Sequence, residues 1–157
     1  MGDNMIKINF VCHGNICRSP MAEYVFKNLV ESRGVADKFY ITSSAVSNEE
    51  IGNGVHYGTR SILREKGIPC GDHRATKFQK SDYDKFDYII LMDKSNRRLM
   101  NRILETENAE KVYNFLSFAG IDRDIADPWY TGDFEQTYLD IDTASKAFFE
   151  YLERKGI

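Results

Sequence analysis

The sequence predicts an α/β protein in which a parallel sheet is covered by helices on both faces. Apolar segments of strand length alternate with segments of helical periodicity, a pattern typical of crossover connections between parallel strands. The strongest strand signal, Phe86–Met92, is nearly continuously apolar, as expected for a strand buried on both faces. The 157 residues suffice for one domain with a substantial core and are too few for two, so we expect a single domain over residues 1–157.

The first strand and helix are predicted on either side of a short loop. The strand covers Ile6–Val11, which alternates and then becomes wholly apolar, and the loop begins at Cys12. We expect Ser19 to be the N-cap of the helix and Pro20 to take its first position, with apolar residues at helical spacing to about Ser32. Ligands of such sheets bind at the carboxyl ends of strands, so this loop is a candidate site.

The later elements follow the same alternation. A second strand is predicted at Phe39–Ser43, a helix at Val55–Lys66 and a fourth strand at Val112–Leu116. Between these last two elements, either Asp93 or Ser95 is expected to cap the helix that follows Phe86–Met92. The last helix has one apolar stripe, which we interpret as core, at Phe134, Tyr138, Ile141, Ser145, Phe148 and Leu152.

The composition argues against several classes of function. The net charge is −3 with both signs interspersed, which gives no basis for a nucleic acid partner, and we interpret the local cluster Lys94–Arg98 as a solvated helix face. Residues 1–5 lack the features of a signal peptide, and no apolar run approaches the ~20 residues of a membrane span, so we expect no membrane association. Three cysteines, an odd number, favour a reducing cytoplasm over a disulfide framework. A monomer is the default expectation.

Residues 11–20, Val-Cys-His-Gly-Asn-Ile-Cys-Arg-Ser-Pro, combine three chemical functions in one loop. A strand-to-helix turn directs backbone N–H groups inward, and such a nest binds a phosphate dianion and favours thiolate over thiol at Cys12. Gly14 and Asn15 are residue types that tolerate the left-handed backbone that this turn needs. Arg18 adds a planar fork that grips two phosphate oxygens, and the Ser19 hydroxyl is placed to donate to the Cys12 sulfur. The loop predicts a phosphatase with a cysteine nucleophile.

Cleavage of a phosphate ester also requires a proton donor for the leaving oxygen. The candidate is Asp127, which lies in a loop and is followed by two aromatic residues, Trp129 and Tyr130. These rings are suited to form the wall of a slot that holds an aromatic leaving group. We therefore expect Asp127 to act as the general acid on an aryl phosphate.

These residues and several other motifs resemble those of the low-molecular-weight protein tyrosine phosphatases, and the resemblance extends over essentially the whole chain. The resemblance is carried by residues 11–23, Ser43-Ser44-Ala45, Gly67-Ile68, His73-Arg74-Ala75, Met92-Asp93-Lys94-Ser95-Asn96 and Asp127-Pro128-Trp129-Tyr130. It implies a three-layer fold with a four-stranded parallel sheet, one phosphatase domain and phosphotyrosine-containing proteins as partners. No metal and no cofactor are implied.

The resemblance also implies residue roles. Cys12 attacks phosphorus and forms a phosphocysteine intermediate, Arg18 and the loop amides hold the equatorial oxygens, and Asp127 acts first as acid and then as base. Cys17 matches a second cysteine that can form a reversible disulfide with the nucleophile. Asn15, Ser43 and His73 match a network that supports the loop. The residues expected to contact phosphate or substrate are His13, Gly14, Asn15, Ile16, Cys17, Ser19, Glu49, Trp129 and Tyr130.

Two segments depart from the pattern of the family. Many eukaryotic members carry a tryptophan at the mouth of the site, where this chain has Glu49 and Glu50. If both carboxylates lie at the rim, peptides with acidic residues beside the phosphotyrosine should bind less well than neutral or basic ones. Trp129 replaces the first of two paired tyrosines, which removes a regulatory phosphorylation site reported in mammalian members, and Tyr130 remains.

Three alternative functions share the scaffold or its chemistry. Protein arginine phosphatases resemble this chain but carry a threonine before the second cysteine, where this chain has Ile16. Thioredoxin-coupled arsenate reductases need two further cysteines on a mobile segment, and Cys70 alone does not supply them. A non-catalytic phosphotyrosine-binding module would be expected to have lost the nucleophile or the acid, whereas Cys12 and Asp127 are both present.

Overall fold

The computed structural model describes residues 5–157, so residues 1–4, part of the segment assessed above for a signal peptide, lie outside the described residues. The sheet has four parallel strands in the order β2-β1-β3-β4, which confirms the predicted class. The strands are β1 (Ile6–Cys12), β2 (Phe39–Ala45), β3 (Tyr88–Leu91) and β4 (Val112–Asn114). The helices are α1 (Arg18–Ser32), α2 (Tyr57–Glu65), α3 (Lys94–Leu104), α4 (Pro128–Thr131) and α5 (Phe134–Arg154).

The side chains of β1 alternate between two cores, as the period of a strand requires. Phe10 faces the larger core, where its ring packs against Phe26 of α1 and both rings belong to a cluster that includes Phe148 of α5. Val11 faces the second core, which it shares with Met100 of α3. Helices therefore cover both faces of the sheet. No helix within residues 5–157 is both long and apolar enough to cross a membrane.

Two predicted strands are shorter than the sequence suggested. The strand predicted at Phe86–Met92 pairs only over Tyr88–Leu91, and the one predicted at Val112–Leu116 ends at Asn114 and continues as a 3₁₀ turn over Phe115–Ala119. Apolar runs overestimate strands because residues beyond the ladder are buried as well. Further 3₁₀ turns cover Ala36–Lys38 and Lys80–Lys85.

The predicted cap of α1 is wrong. Helix α1 begins at Arg18, so Ser19 lies inside its first turn and Pro20 takes its third position. Proline is accepted there because the N–H groups of the first turn have no partner within the helix. The Ser19 hydroxyl lies beside the Cys12 sulfur, so it is engaged in the candidate site rather than in capping the helix.

The predicted start of α2 is also two residues early, since the helix begins at Tyr57 and His56 is its cap. Asp93 caps α3, accepting from the Asn96 amide at 2.7 Å while the Asn96 side chain accepts from the amide of Asp93. This outcome decides between the two predicted caps of α3. Because Asp93 lies two residues after the end of β3, its carboxylate lies at the same edge of the sheet as the loop after β1.

Candidate active site

The loop between β1 and α1 wraps around the Cys12 sulfur. The backbone N–H groups of Asn15 and Ser19 donate to Sγ at 3.3 and 3.4 Å, and the Ser19 hydroxyl oxygen lies 3.0 Å from it. The side-chain Nδ2 of Asn15 donates to that hydroxyl oxygen at 2.8 Å, so the hydroxyl hydrogen has two acceptors within reach, the Cys12 sulfur and, at a longer 3.4 Å, the Ser44 carbonyl oxygen. Donors directed at one atom from the backbone and from a side chain stabilise a negative charge on it.

One of the two residues expected in the left-handed region is found there. Asn15 has φ 62°, as the turn requires, whereas the φ of Gly14 is not positive. A Cβ atom at position 14 would lie 3.2 Å from Cγ of Glu50, so the Glu50 side chain would have to shift by a few tenths of an ångström to make room for it. The expectation for Gly14 is therefore wrong, and the glycine lets the loop approach the segment that carries Glu50.

Asn15 is completely buried and holds the loop in place through every polar atom of its side chain. Besides its bond to Ser19, Nδ2 donates to the Ser43 hydroxyl at 3.0 Å. Oδ1 accepts from Nε2 of His73 at 2.7 Å and from the backbone amide of Thr76 at 3.1 Å. The predicted network of Asn15, Ser43 and His73 is thus brought together, behind the loop.

Glu23 extends this network, a contribution that the sequence analysis missed. Its Oε1 accepts from the Ser43 hydroxyl at 2.6 Å and lies 3.8 Å from Nδ1 of His73. Burial lowers the pKa of His73, and the nearby charge of Lys27 acts in the same direction, whereas Glu23 opposes them. The net result is a pKa below the ordinary value, which favours the neutral imidazole.

Arg18 is 2% exposed, and its guanidinium contacts three acceptors that lie on two segments of the chain. Nη1 donates to Asp93 at 2.7 Å and to the carbonyl of Ile125 at 2.9 Å, while Nη2 lies 3.4 Å from the carboxylate of Asp127. Burial alone would lower the pKa of Arg18, but the negative charges of Cys12, Asp93 and Asp127 outweigh it and raise the pKa. The cation is therefore permanent and its plane is fixed.

Asp93 is the second residue that the sequence analysis did not assign to the site. Its available signal was its position directly after the predicted strand Phe86–Met92, but nothing local indicated that its partner would be Arg18, 75 residues earlier. One carboxylate oxygen caps α3 and the other binds Arg18, so a single side chain ties the helix to the guanidinium.

Asp127 is the N-cap of α4 and faces the same cavity. Its Oδ1 accepts from the Trp129 amide at 3.0 Å, and Oδ2 is the oxygen near Arg18. Trp129 and Tyr130 line the cavity with Asp127, although both rings are largely exposed. The predicted acid and aromatic wall therefore lie opposite the loop that carries Cys12.

The cavity encloses about 100 Å³ and collects nearly all of the predicted contact residues. His13 donates from Nε2 to Glu49 at 2.9 Å at the rim, beside Glu50. Ser43 and His73 lie in the network behind the loop, and Asn15 and Ser19 reach the site through Cys12. The lining consists of Cys12, His13, Gly14, Ile16, Cys17, Arg18, Glu49, Glu50, Asp127, Trp129 and Tyr130.

Cys17 is a buried free thiol beside the nucleophile candidate. Burial, together with the negative charges of Cys12 and Asp127, raises the pKa of Cys17 to about 12, against a smaller opposing effect of Arg18. It is a neutral thiol at physiological pH. Among residues 5–157, no three His, Cys, Asp or Glu side chains gather as a metal site would require.

Comparison with known proteins agrees with this geometry. The sequence profile of the low molecular weight phosphotyrosine protein phosphatases matches residues 7–156. The chain belongs to this family. It is 36% identical over 154 residues to the low molecular weight protein-tyrosine-phosphatase YfkJ of Bacillus subtilis, covering 96% of this chain and 98% of the relative. The human low molecular weight phosphotyrosine protein phosphatase is 38% identical over 146 residues, covering 90% of this chain and 92% of the relative.

Solved structures of phosphatases share the fold. The crystal structure of YfkJ superposes with a TM-score of 0.93 at 35% identity, over 98% of both chains. DARP, described as a Drosophila arginine phosphatase, superposes with a TM-score of 0.85 at 29% identity, over 94% of this chain and 98% of that one. As a member of the low molecular weight protein-tyrosine-phosphatases, the protein is a hydrolase, and buried Cys12 and Arg18 are consistent with a cysteine nucleophile and an arginine clamp.

Proposed function

We propose that this phosphatase hydrolyses phosphotyrosine in proteins through a phosphocysteine intermediate formed on Cys12. The observation that carries the proposal is the convergence of two backbone amides and the Ser19 hydroxyl on the Cys12 sulfur, at the base of a cavity that also holds Arg18 and Asp127. The sulfur attacks phosphorus in line, the phenolic oxygen leaves, and water then releases phosphate from the sulfur.

Arg18 and the inward amides of the loop bind the non-bridging oxygens. Their positions are set before substrate arrives, because Asp93 and the carbonyl of Ile125 hold one side of the guanidinium. The weaker contact of Arg18 with Asp127, at 3.4 Å, is the one that an incoming phosphate would replace. Preorganised donors of this kind stabilise a transition state without reorganisation at the moment of reaction.

Asp127 donates a proton to the phenolic oxygen and later removes one from the attacking water. Its position at the start of α4, next to Trp129 and Tyr130, supports this role, because the same segment supplies the acid and the aromatic wall. General acid catalysis contributes about 10²–10⁴-fold to such a reaction.

Arginine phosphatase activity is the second candidate, because DARP, a Drosophila arginine phosphatase, shares the fold. The side chain that lines the cavity before Cys17 is Ile16, which lacks a hydroxyl to assist attack on a phosphoramidate. Together with Trp129 and Tyr130, this apolar lining favours an aryl phosphate.

Cys12, Arg18 and Asp127 all belong to the same chain, so the proposed catalytic set needs no residue from a partner, and a thiolate nucleophile needs a reducing environment. We therefore propose that the protein acts as a single phosphatase domain, as a monomer and in the cytoplasm.

Steady-state hydrolysis of matched phosphotyrosine, phosphoserine and phosphoarginine peptides tests the substrate class. We expect a strong preference for phosphotyrosine, and a Cys12→Ser variant that binds vanadate or phosphate but has no turnover. A preference for phosphoarginine would favour the second candidate. Appreciable turnover by Cys12→Ser would reject the covalent route.

A leaving-group series tests the acid. In Asp127→Ala, kcat/KM should fall most on phosphotyrosine and least on a nitrophenyl phosphate, whose phenolate departs readily without a proton. Equal losses on both substrates would exclude Asp127 as the acid. Arg18→Lys should lose turnover on both substrates, because the point charge of lysine cannot reproduce the two parallel hydrogen bonds of the guanidinium.

A further inference from the structure

His56 lies between the loop that carries Cys12 and the segment that carries Asp127. Its imidazole stacks on Phe134 of α5 with a centroid distance of 5.2 Å and an interplanar angle of 19°. It stacks on Tyr57 at 4.6 Å and 26°, and it meets the Trp129 ring edge to face at 5.7 Å and 78°. The imidazole is thus in contact with rings from α2, α4 and α5.

The backbone of His56 is fastened to the phosphate-binding loop. Its N–H donates to the carbonyl of Ile16 at 2.9 Å, which turns that carbonyl away from the anion cradle. The side chain caps α2, because Nδ1 accepts from the Gly58 amide at 3.0 Å. Since Nδ1 is the acceptor, the neutral ring carries its proton on Nε2. Asparagine, aspartate or serine would cap a helix equally well, but none of them supplies a ring.

The close packing of α2 against α5 makes the support for this ring rigid. A Cβ atom at Gly58 would lie 2.4–2.7 Å from atoms of the Phe134 ring, so no side chain fits between the two helices at this point. Phe134 is therefore held close to the start of α2, and the His56 imidazole stacks on it. The histidine ring has a fixed surface behind it and Trp129 at its edge.

The contact with Trp129 bears on the catalytic carboxylate. Helix α4 is only four residues long, and the Asp127 carboxylate binds the amide of Trp129 at 3.0 Å. Any force that fixes the indole therefore also fixes the carboxylate two residues before it. We propose that His56 is a positioning residue that holds the Asp127 segment in register with the phosphate-binding loop. This inference rests on the proposed role of Asp127 as general acid.

Two substitutions separate the ring of His56 from its cap. His56→Asn retains an acceptor for the Gly58 amide and removes the ring, whereas His56→Phe retains the ring and removes the acceptor. Neither substitution removes the backbone donor to Ile16. Tyr57→Ala is the matched control, because it removes a stacking partner that is 77% exposed.

The assay measures kcat/KM on phosphotyrosine and on nitrophenyl phosphate, because this parameter reports transfer of phosphate to Cys12 and not the hydrolysis step that both substrates share, with the urea midpoint as a measure of folding. We expect His56→Asn to lose about tenfold on phosphotyrosine and to retain most activity on nitrophenyl phosphate, since only the first substrate needs the roughly 10²–10⁴-fold help of the acid. His56→Phe keeps the ring, so the ratio of its rates on the two substrates should equal that of the wild type, although its urea midpoint should be lower because the helix cap is lost. Tyr57→Ala should leave the ratio unchanged.

Combination with Asp127→Ala distinguishes failure of this inference from failure of the proposed function. With the acid removed, His56→Asn should cause no further loss specific to phosphotyrosine. If His56→Asn lowers the rates on both substrates equally, or on neither, His56 does not act through Asp127. The same conclusion follows if His56→Asn still lowers the rate on phosphotyrosine more than on nitrophenyl phosphate when Asp127 is already alanine. If Asp127→Ala itself shows no discrimination, the proposed acid is wrong and this inference falls with it.

Discussion

Asn15 offers the sharpest test of how the loop is held in shape. Its side chain makes four hydrogen bonds, to the hydroxyls of Ser19 and Ser43, the imidazole of His73 and the amide of Thr76. At a net value of about 1 kcal/mol each, their loss in Asn15→Gly should lower the free energy of unfolding by about 4 kcal/mol. That is a large part of the roughly 5–15 kcal/mol that stabilises a typical domain.

Asn15→Ala loses the same four bonds and adds backbone strain. Residue 15 has φ 62°, a conformation that costs a residue with a Cβ atom about 1–2 kcal/mol relative to right-handed backbone. At ordinary positions glycine is about 0.5–1 kcal/mol less stable than alanine because it loses more backbone entropy. At position 15 the order should reverse, with Asn15→Gly at least as stable as Asn15→Ala.

Urea unfolding of the wild type and both variants measures the two effects. Both variants should also lose turnover, because Asn15 positions the hydroxyl that lies beside the Cys12 sulfur. A loss of less than about 1.5 kcal/mol in Asn15→Gly would show that the four bonds do not stabilise the loop as argued. An alanine variant clearly more stable than the glycine variant would refute the strain argument.

Three further predictions follow from the charges of the site. Burial lowers the pKa of His73 on folding, so the neutral imidazole stabilises the fold above the unfolded pKa of about 6.5, and this stabilisation is lost as the pH falls through the lower folded pKa. Between about pH 7.5 and about pH 5, the urea midpoint of His73→Gln should therefore fall less steeply than that of the wild type. Iodoacetamide at neutral pH should alkylate Cys12 and spare Cys17, whose pKa is raised to about 12, and comparable labelling by mass spectrometry would contradict this assignment. Peptides with acidic residues beside the phosphotyrosine should have lower kcat/KM than peptides with basic residues there, at low salt, because Glu49 and Glu50 line the cavity. The double variant Glu49→Gln, Glu50→Gln should reduce this difference. Equal kcat/KM for acidic and basic peptides in the wild type would show that the two carboxylates do not select substrates.

The chemistry of the phosphate-binding loop could be predicted because it is local in sequence. Cys12 and Arg18 are six positions apart, and one turn between a strand and a helix is enough to bring a thiol, inward amides and a guanidinium together. The parallel sheet could also be predicted from the sequence, since its strands are short apolar runs that alternate with segments of helical periodicity. The ends of elements were less accurate, because burial continues past the last paired residue at Leu91 and Asn114.

Local sequence determined which groups this protein would use: a thiol, a guanidinium, a carboxylate before two aromatic rings and a turn built for anions. Only the tertiary structure decided what holds those groups in position. Asp93 binds Arg18 across 75 positions, Glu23 binds Ser43 behind the loop, and His56 meets Trp129 from a different helix. Such pairs arise from the order and register of the strands, and one carboxylate or imidazole in a sequence does not indicate which distant residue the fold will place beside it.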